Sequence, residues 1–171
     1  MKKSILIMFL LFAAGITAQA QKFALIDTEY ILKNIPAYQN ATEQLNQATK
    51  QWQDEVEKLS KEAKSLFDSY QAAIKTLSDA QKAKREEEIV AKEKSAAELR
   101  RKYFGPEGEL FKKREELMQP IQDAIYDAVK EIAVQEGYAV VVDRATASSI
   151  IFASPSIDIS NEVLAELGYS N

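Results

Sequence analysis

From Tyr38 the apolar residues fall at Tyr38, Ala41, Leu45, Ala48, Trp52, Val56, Leu59, Ala63, Leu66, Tyr70, Ala73 and Leu77, in steps of three and four. A step averaging about 3.5 residues is the period of a helix that packs lengthwise against another helix. At ~1.5 Å per residue, some 40 helical residues reach about 60 Å. A compact chain of this size has a radius of gyration of only about 15 Å. The sequence therefore predicts a projecting helical arm. Pro36 suits the first helical turn, and Asn34 is a candidate cap.

The stripe ends at "KTLSDAQKAKREEE". Ser78 with Gln81 three residues on has the pattern of a capping box, so a returning helix is expected to start there. The hairpin tip then lies near 74–79. The returning stretch, Asp79 to Tyr103, carries few large apolar residues: Ile89, Val90, Leu99 and Tyr103. The charge run "KREEE" reads as a solvated face with pairs between successive turns. "FGPEGEL" predicts an interruption at 105–108, because Gly105 can end one helix and Pro106 can begin the next. A third helix is expected over Glu109–Gln135, with Leu110, Leu117, Ile121, Ile125, Ala128 and Ile132 on one face. Pro120 should kink it slightly, and Gly137 should close it. Only five Gly and four Pro in 171 residues fit long helices.

Strand signals are confined to the two ends of the chain. "KFALID" at 22–27 is one, and "GYAVVVDRATASSIIFAS" at 137–154 reads as two more, Tyr138–Asp143 and Ser149–Ala153. A short amphipathic helix over Asp158–Leu167 follows, with Ile159, Val163 and Leu167 apolar and Ser160 as an alternative cap. Three strands and a few helical turns make too small a core to stand alone. A lone three-stranded sheet also leaves two open edges. Pooling strands between identical copies solves both problems. The expected fold class is α+β: a small β-sheet body assembled between subunits, bearing a long antiparallel helical-hairpin (coiled-coil) arm. Body residues come from 21–35 and 121–171, and the arm from 36–120. Candidate oligomer contacts are Phe23, Leu25, Tyr138, Val140, Val141, Val142, Ile150, Ile151 and Phe152.

Residues 1–20 read as a signal peptide: Lys2 and Lys3, the apolar run "SILIMFLLFAAGI", then Ala18–Ala20 as an expected cleavage site after Ala20. The apolar run is shorter than the roughly 20 residues that span a bilayer. No Cys follows it, which excludes a lipid-anchored amino terminus and disulfides. Removing Lys2 and Lys3 leaves 20 basic residues against 26 acidic ones, a formal net charge of −6. That balance argues against nucleic acid as a partner. With no His and no Cys, catalytic triads, imidazole bases and His- or Cys-ligated metals are unavailable. No cofactor is expected, and an enzyme would need a carboxylate-only site. Asp27 and Asp143 end strands, and capping and turn roles account for them.

In its order of elements the chain resembles the Skp (OmpH-like) periplasmic chaperone family. The resemblance spans the whole mature chain. It is carried by "FALIDTEYIL", the long helical hairpin, "IQDAIYDAVKEIAVQEGYAVVVD", and "DISNEVLAELG". It implies a homotrimer whose strands form a small body, with three helical hairpins enclosing a cavity. The implied partners are unfolded outer-membrane β-barrel proteins, held in the periplasm without ATP. Such a holdase needs mobile apolar contacts, for which Trp52, Leu66, Phe67, Tyr70, Ile74 and Leu77 are the candidates. The same residues also suit gluing the arm's two helices together. Around the tip, from Ala72 to Ala96, six basic residues face five acidic ones. This is no basic patch, and it argues against lipid or lipopolysaccharide contact. A second reading stays open: a coiled-coil tether or scaffold of the cell envelope with one folded partner.

Overall fold

The computed structural model describes residues 21–169, so the expected leader and its cleavage point lie outside the described residues. In chain order the elements are β1 (Lys22–Ile26), α1 (Thr28–Lys33), α2 (Pro36–Ala73), α3 (Asp79–Phe104), α4 (Glu109–Glu136), β2 (Tyr138–Asp143), a 3-10 turn (Pro155–Ile157) and α5 (Ser160–Glu166). They pack as two compact units. One comprises residues 21–31 with 127–169, the other residues 32–126. The fold class is α+β.

The larger unit is a helical hairpin. Pro36 occupies the first turn of α2, and the cap is Ile35 in an extended conformation, one residue after the expected Asn34. Along α2 the buried side chains Val56, Ala63 and Tyr70 recur every seven residues, and along α3 Ile89 and Ala96 do the same. This is the heptad seam that the apolar stripe predicts. Alanine at the middle of each seam lets the two backbones approach. The capping box forms as expected: the Gln81 amide donates to Ser78 Oγ, and the Ser78 amide donates to Gln81 Oε1 at 2.9 Å. At the far end of α3 the Gly105 amide closes on Arg101 O at 2.9 Å. A Cβ on Gly105 would lie 2.4 Å from that carbonyl, and one on Gly108 would lie 2.7 Å from the carbonyls of Lys102 and Tyr103. Glycine is needed at both positions because backbone approaches backbone there. α4 then runs on through Pro120 and buries Ile121, Ile125, Ala128 and Ile132.

In the smaller unit β1 and β2 pair in parallel, with Phe23 opposite Val140, Ala24 opposite Val141, Leu25 opposite Val142 and Ile26 opposite Asp143. Parallel strands need a long crossover, and here the intervening chain is α1 to α4. Gly137, at φ +73°, makes the sharp exit from α4 into β2 that a Cβ would oppose. Ala24, Leu25, Ile26, Ile31, Ile159, Val163 and Leu164 form the core.

The expected third strand, Ser149–Ala153, is not formed, and the sheet has two strands. A strand exists only where a ladder partner accepts its backbone. The second edge of β1 is already taken, because Leu25 bridges Asp158 and Leu25 O accepts from the Ile159 amide at 2.9 Å. Residues 149–153 are irregular, with Ile151 101% and Phe152 85% exposed, and they do not pair with the outer edge of β2 either. In the single chain, Ala139 and Val140 of β2 are exposed, and its other residues are half-buried. The last helix is also shorter than expected, starting at Ser160 behind an Ile159 cap.

Candidate functional site

Three polar rungs cross the hairpin. Tyr103 Oη donates to Glu55, Lys92 Nζ donates to Glu62 at 2.9 Å, and Tyr70 Oη donates to Glu86. Each pair is centred within a residue of Ser78, so the rungs fix the register of α2 against α3. Beside the first rung, Trp52 stacks on Tyr103 with centroids 5.2 Å apart and planes 14° from parallel. The Tyr103 hydroxyl is the main cause that holds the Glu55 carboxyl below its ordinary pKa, and it is itself pushed up by that bond. Lys92 lowers Glu62 in the same way, and Glu86 raises Tyr70.

Of the six candidate client contacts, Tyr70 is buried in the seam and engaged in a rung. Trp52 is half-buried in its stack, and Leu66, Ile74 and Leu77 are half-buried. Phe67 stands 45% exposed. It borders a groove of about 710 Å³ between α2 and α3, lined also by Ala63, Ala96, Ala97, Phe104, Arg100 and Arg101. The arginines and the two tyrosine rungs escape sequence reading, because they acquire meaning only when α3 is folded back on α2. Equidistance from Ser78 is the signal that would have paired them.

The candidate oligomer contacts divide similarly. Leu25 is buried; Tyr138, Val141, Val142 and Ile150 are half-buried; Phe23, Val140, Ile151 and Phe152 are exposed. At the carboxyl ends of β1 and β2, a polar network closes the smaller unit. Asp143 accepts from the Thr28 amide at 3.1 Å, from Thr28 Oγ1 at 2.7 Å, from the Ala145 amide at 3.0 Å and from Thr146 Oγ1 at 3.1 Å. Burial alone would raise the Asp143 carboxyl, but these donors outweigh it and hold the group below its ordinary pKa. Asp27 caps α1 by accepting from the Tyr30 amide at 2.9 Å. Its own amide donates to Ser160 Oγ, which in turn donates to Asp158. Arg144 bridges Asp27 at 3.1 Å and Asp158 at 3.4 Å. The acidic residues here are structural. Each is spent on a cap, a turn or the shared guanidinium.

Comparison with known proteins agrees with this architecture. The chaperone protein Skp of Yersinia enterocolitica is 25% identical over 155 residues, covering 91% of each chain. Skp of Photorhabdus luminescens is 26% identical over 163 residues, covering 92% of each. A crystal structure described as an OmpH-like outer membrane chaperone of Caulobacter crescentus superposes with a TM-score of 0.69. It has 12% identity and covers 86% of this chain and 84% of its own. The family described as outer membrane protein (OmpH-like) matches residues 22–167, and the chain belongs to that family.

Proposed function

We propose that this chain is a non-enzymatic, ATP-independent periplasmic holdase. It binds unfolded outer-membrane β-barrel proteins between the helical arms of a homotrimer and prevents their aggregation. The observation that carries the reading is the exposure of large apolar side chains in both units: Phe67 and Val90 on the hairpin, Phe23, Val140, Ile151 and Phe152 in the body. Exposed large apolar side chains serve association where they lie together, as Ile151 and Phe152 do in sequence. In the body, a two-stranded sheet with an unpaired apolar segment beside it suits completion by the same segments of further copies. On the arm, scattered side chains suit many weak contacts with varied clients.

Relatives named as chaperones along nearly their whole length support the same reading over a tether with one folded partner. In this reading Phe67 and Ile74 touch the client directly, with Leu66 and Leu77 beside them. Trp52 and Tyr70 act chiefly by stiffening the arm. The body spans 21–35 and 121–171, and the arm spans 36–120.

The test is a solution mass measurement with and without a urea-unfolded outer-membrane protein. The expected masses are three copies alone, and three copies with one client. A monomer that leaves the client to aggregate overturns the proposal. A Phe67→Ser, Ile74→Ser double variant should keep the oligomer mass but suppress client aggregation less well.

A further inference from the structure

We propose that the groove between α2 and α3 binds an extended client segment in which a large apolar side chain stands next to a carboxylate. The proposal rests on the holdase reading and names part of its client chemistry.

A smaller cleft of about 350 Å³ shares Ser60, Arg100 and Phe104 with the main groove and continues it to Gln53 and Val56. The α2 side of this surface thus runs from Gln53 to Phe67, about 21 Å of helix at ~1.5 Å per residue. That length matches about six residues of extended chain at ~3.3 Å each. Ala63 and Ala96 lie buried beneath the groove, Ala97 adds no bulk to its wall, and Phe67 and Phe104 offer aromatic surface toward its opposite ends. A bulky side chain fits that space and shields one of the rings from water.

Charge decides what accompanies it. Lys64 is held by Asp68 at 2.7 Å. By contrast, neither Arg100 nor Arg101 has an ion-pair partner among the described residues, whereas Arg85 pairs with Glu88, and Arg144 with Asp27 and Asp158. Two uncommitted guanidinium forks beside an apolar groove match a carboxylate. Glu93 lines the same groove seven residues earlier on α3, and there it repels a second acid. Glu57 lines the continuation of the groove beside Arg100 and is held by Lys61 at 2.6 Å, which leaves Arg100 and Arg101 as the charges without an ion pair at that end.

The test measures fluorescence anisotropy of three dye-labelled ten-residue peptides on the purified full chain. One carries Phe flanked by Asp, one carries Phe flanked by Lys, and one carries Ser in place of Phe between Asp residues. The Asp-flanked Phe peptide should bind about tenfold tighter than either other peptide. An Arg100→Gln, Arg101→Gln variant should lose the preference for Asp over Lys while keeping its mass and thermal midpoint. Ala97→Phe, which fills the groove, should weaken both Phe peptides.

Equal binding of the Asp and Lys peptides overturns the proposal, as does a preference that survives both variants. Peptide affinity that falls with rising protein concentration would mean a second copy occupies the groove, which also overturns it. Suppression of client aggregation is measured on the same preparations. Wild-type protein that holds its client without any peptide preference refutes the groove alone. Wild-type protein that fails to hold its client refutes the holdase reading.

Discussion

The two units hold themselves together in opposite ways. The hairpin is built from contacts that repeat: a heptad seam, and three rungs at corresponding positions on two helices. Any stretch of it resembles the next, and most of its hydrogen bonds lie within a helix. The body is built from contacts that do not repeat. Thr28 meets Asp143, Asp27 meets Ser160 and Arg144, and each partner is over a hundred residues away in sequence. Among the described residues its buried polar side chains are satisfied within one chain, while several of its large apolar side chains stay exposed. The repeating stretches of the hairpin are thus complete by themselves and tolerant of small changes. The body is intolerant at its polar network and unfinished at its apolar surface.

The sharpest way to break this contrast is Asp143→Ala. It strips one acceptor from four donors, and hydrogen bonds to a charged group are worth about 2–3 kcal/mol each at most. A loss of about 2–3 kcal/mol is expected in urea unfolding, with amide exchange quickening at Thr28 and Ala145. Helicity of residues 36–104 should persist. Equal loosening of α2 and α3 would mean that the two units are not independent.

Gly108→Ala comes next. The added methyl must displace the carbonyls of Lys102 and Tyr103, at a cost of about 2 kcal/mol. Amide exchange should quicken around residues 101–112, and β1–β2 protection should not change. An unaltered midpoint would show that the junction yields freely.

The smallest effect is expected on acidification. Glu55, Glu62 and Asp143 have lowered carboxyl pKa values in the folded chain. Stability from them is present above the unfolded carboxyl range and is lost as pH falls through the folded values. Tyr70 and Tyr103 are raised, so their contribution is present below the ordinary tyrosine range and is lost as pH rises through their folded values. Thermal unfolding midpoints should therefore be flat near neutral pH and fall toward either extreme. Glu62→Gln should make the acid slope shallower, most visibly at low salt, since its pair with Lys92 is half-exposed. A slope identical to that of the wild type removes that rung from the account.

What was legible in the sequence follows the same division. The arm's period, its capping box at Ser78, its break at Gly105 and the exit at Gly137 all depend on near neighbours, and all are readable residue by residue. Asp27 as a cap belongs with them. Ser149–Ala153 misled because "SIIFA" has strand-forming side chains, whereas a strand is decided by actual pairing, which side-chain type does not encode. Within one chain the edge of β1 goes to Asp158 and Ile159 instead. Arg144 as the bridge between two distant aspartates, and Arg100 with Arg101 beside a groove, depend on tertiary neighbours that no local pattern encodes.

The parallel match of β1 to β2 also sets a timetable for the newborn molecule. Phe23 to Ile26 are synthesised early, and their hydrogen-bonding mates Val140 to Asp143 follow over a hundred residues later. The helices need only what has already been made, so they can wind up while the opening strand still waits. Until the final segment arrives, that strand is an unsheltered sticky edge. The protein passes through the very condition from which, as proposed, it later rescues others.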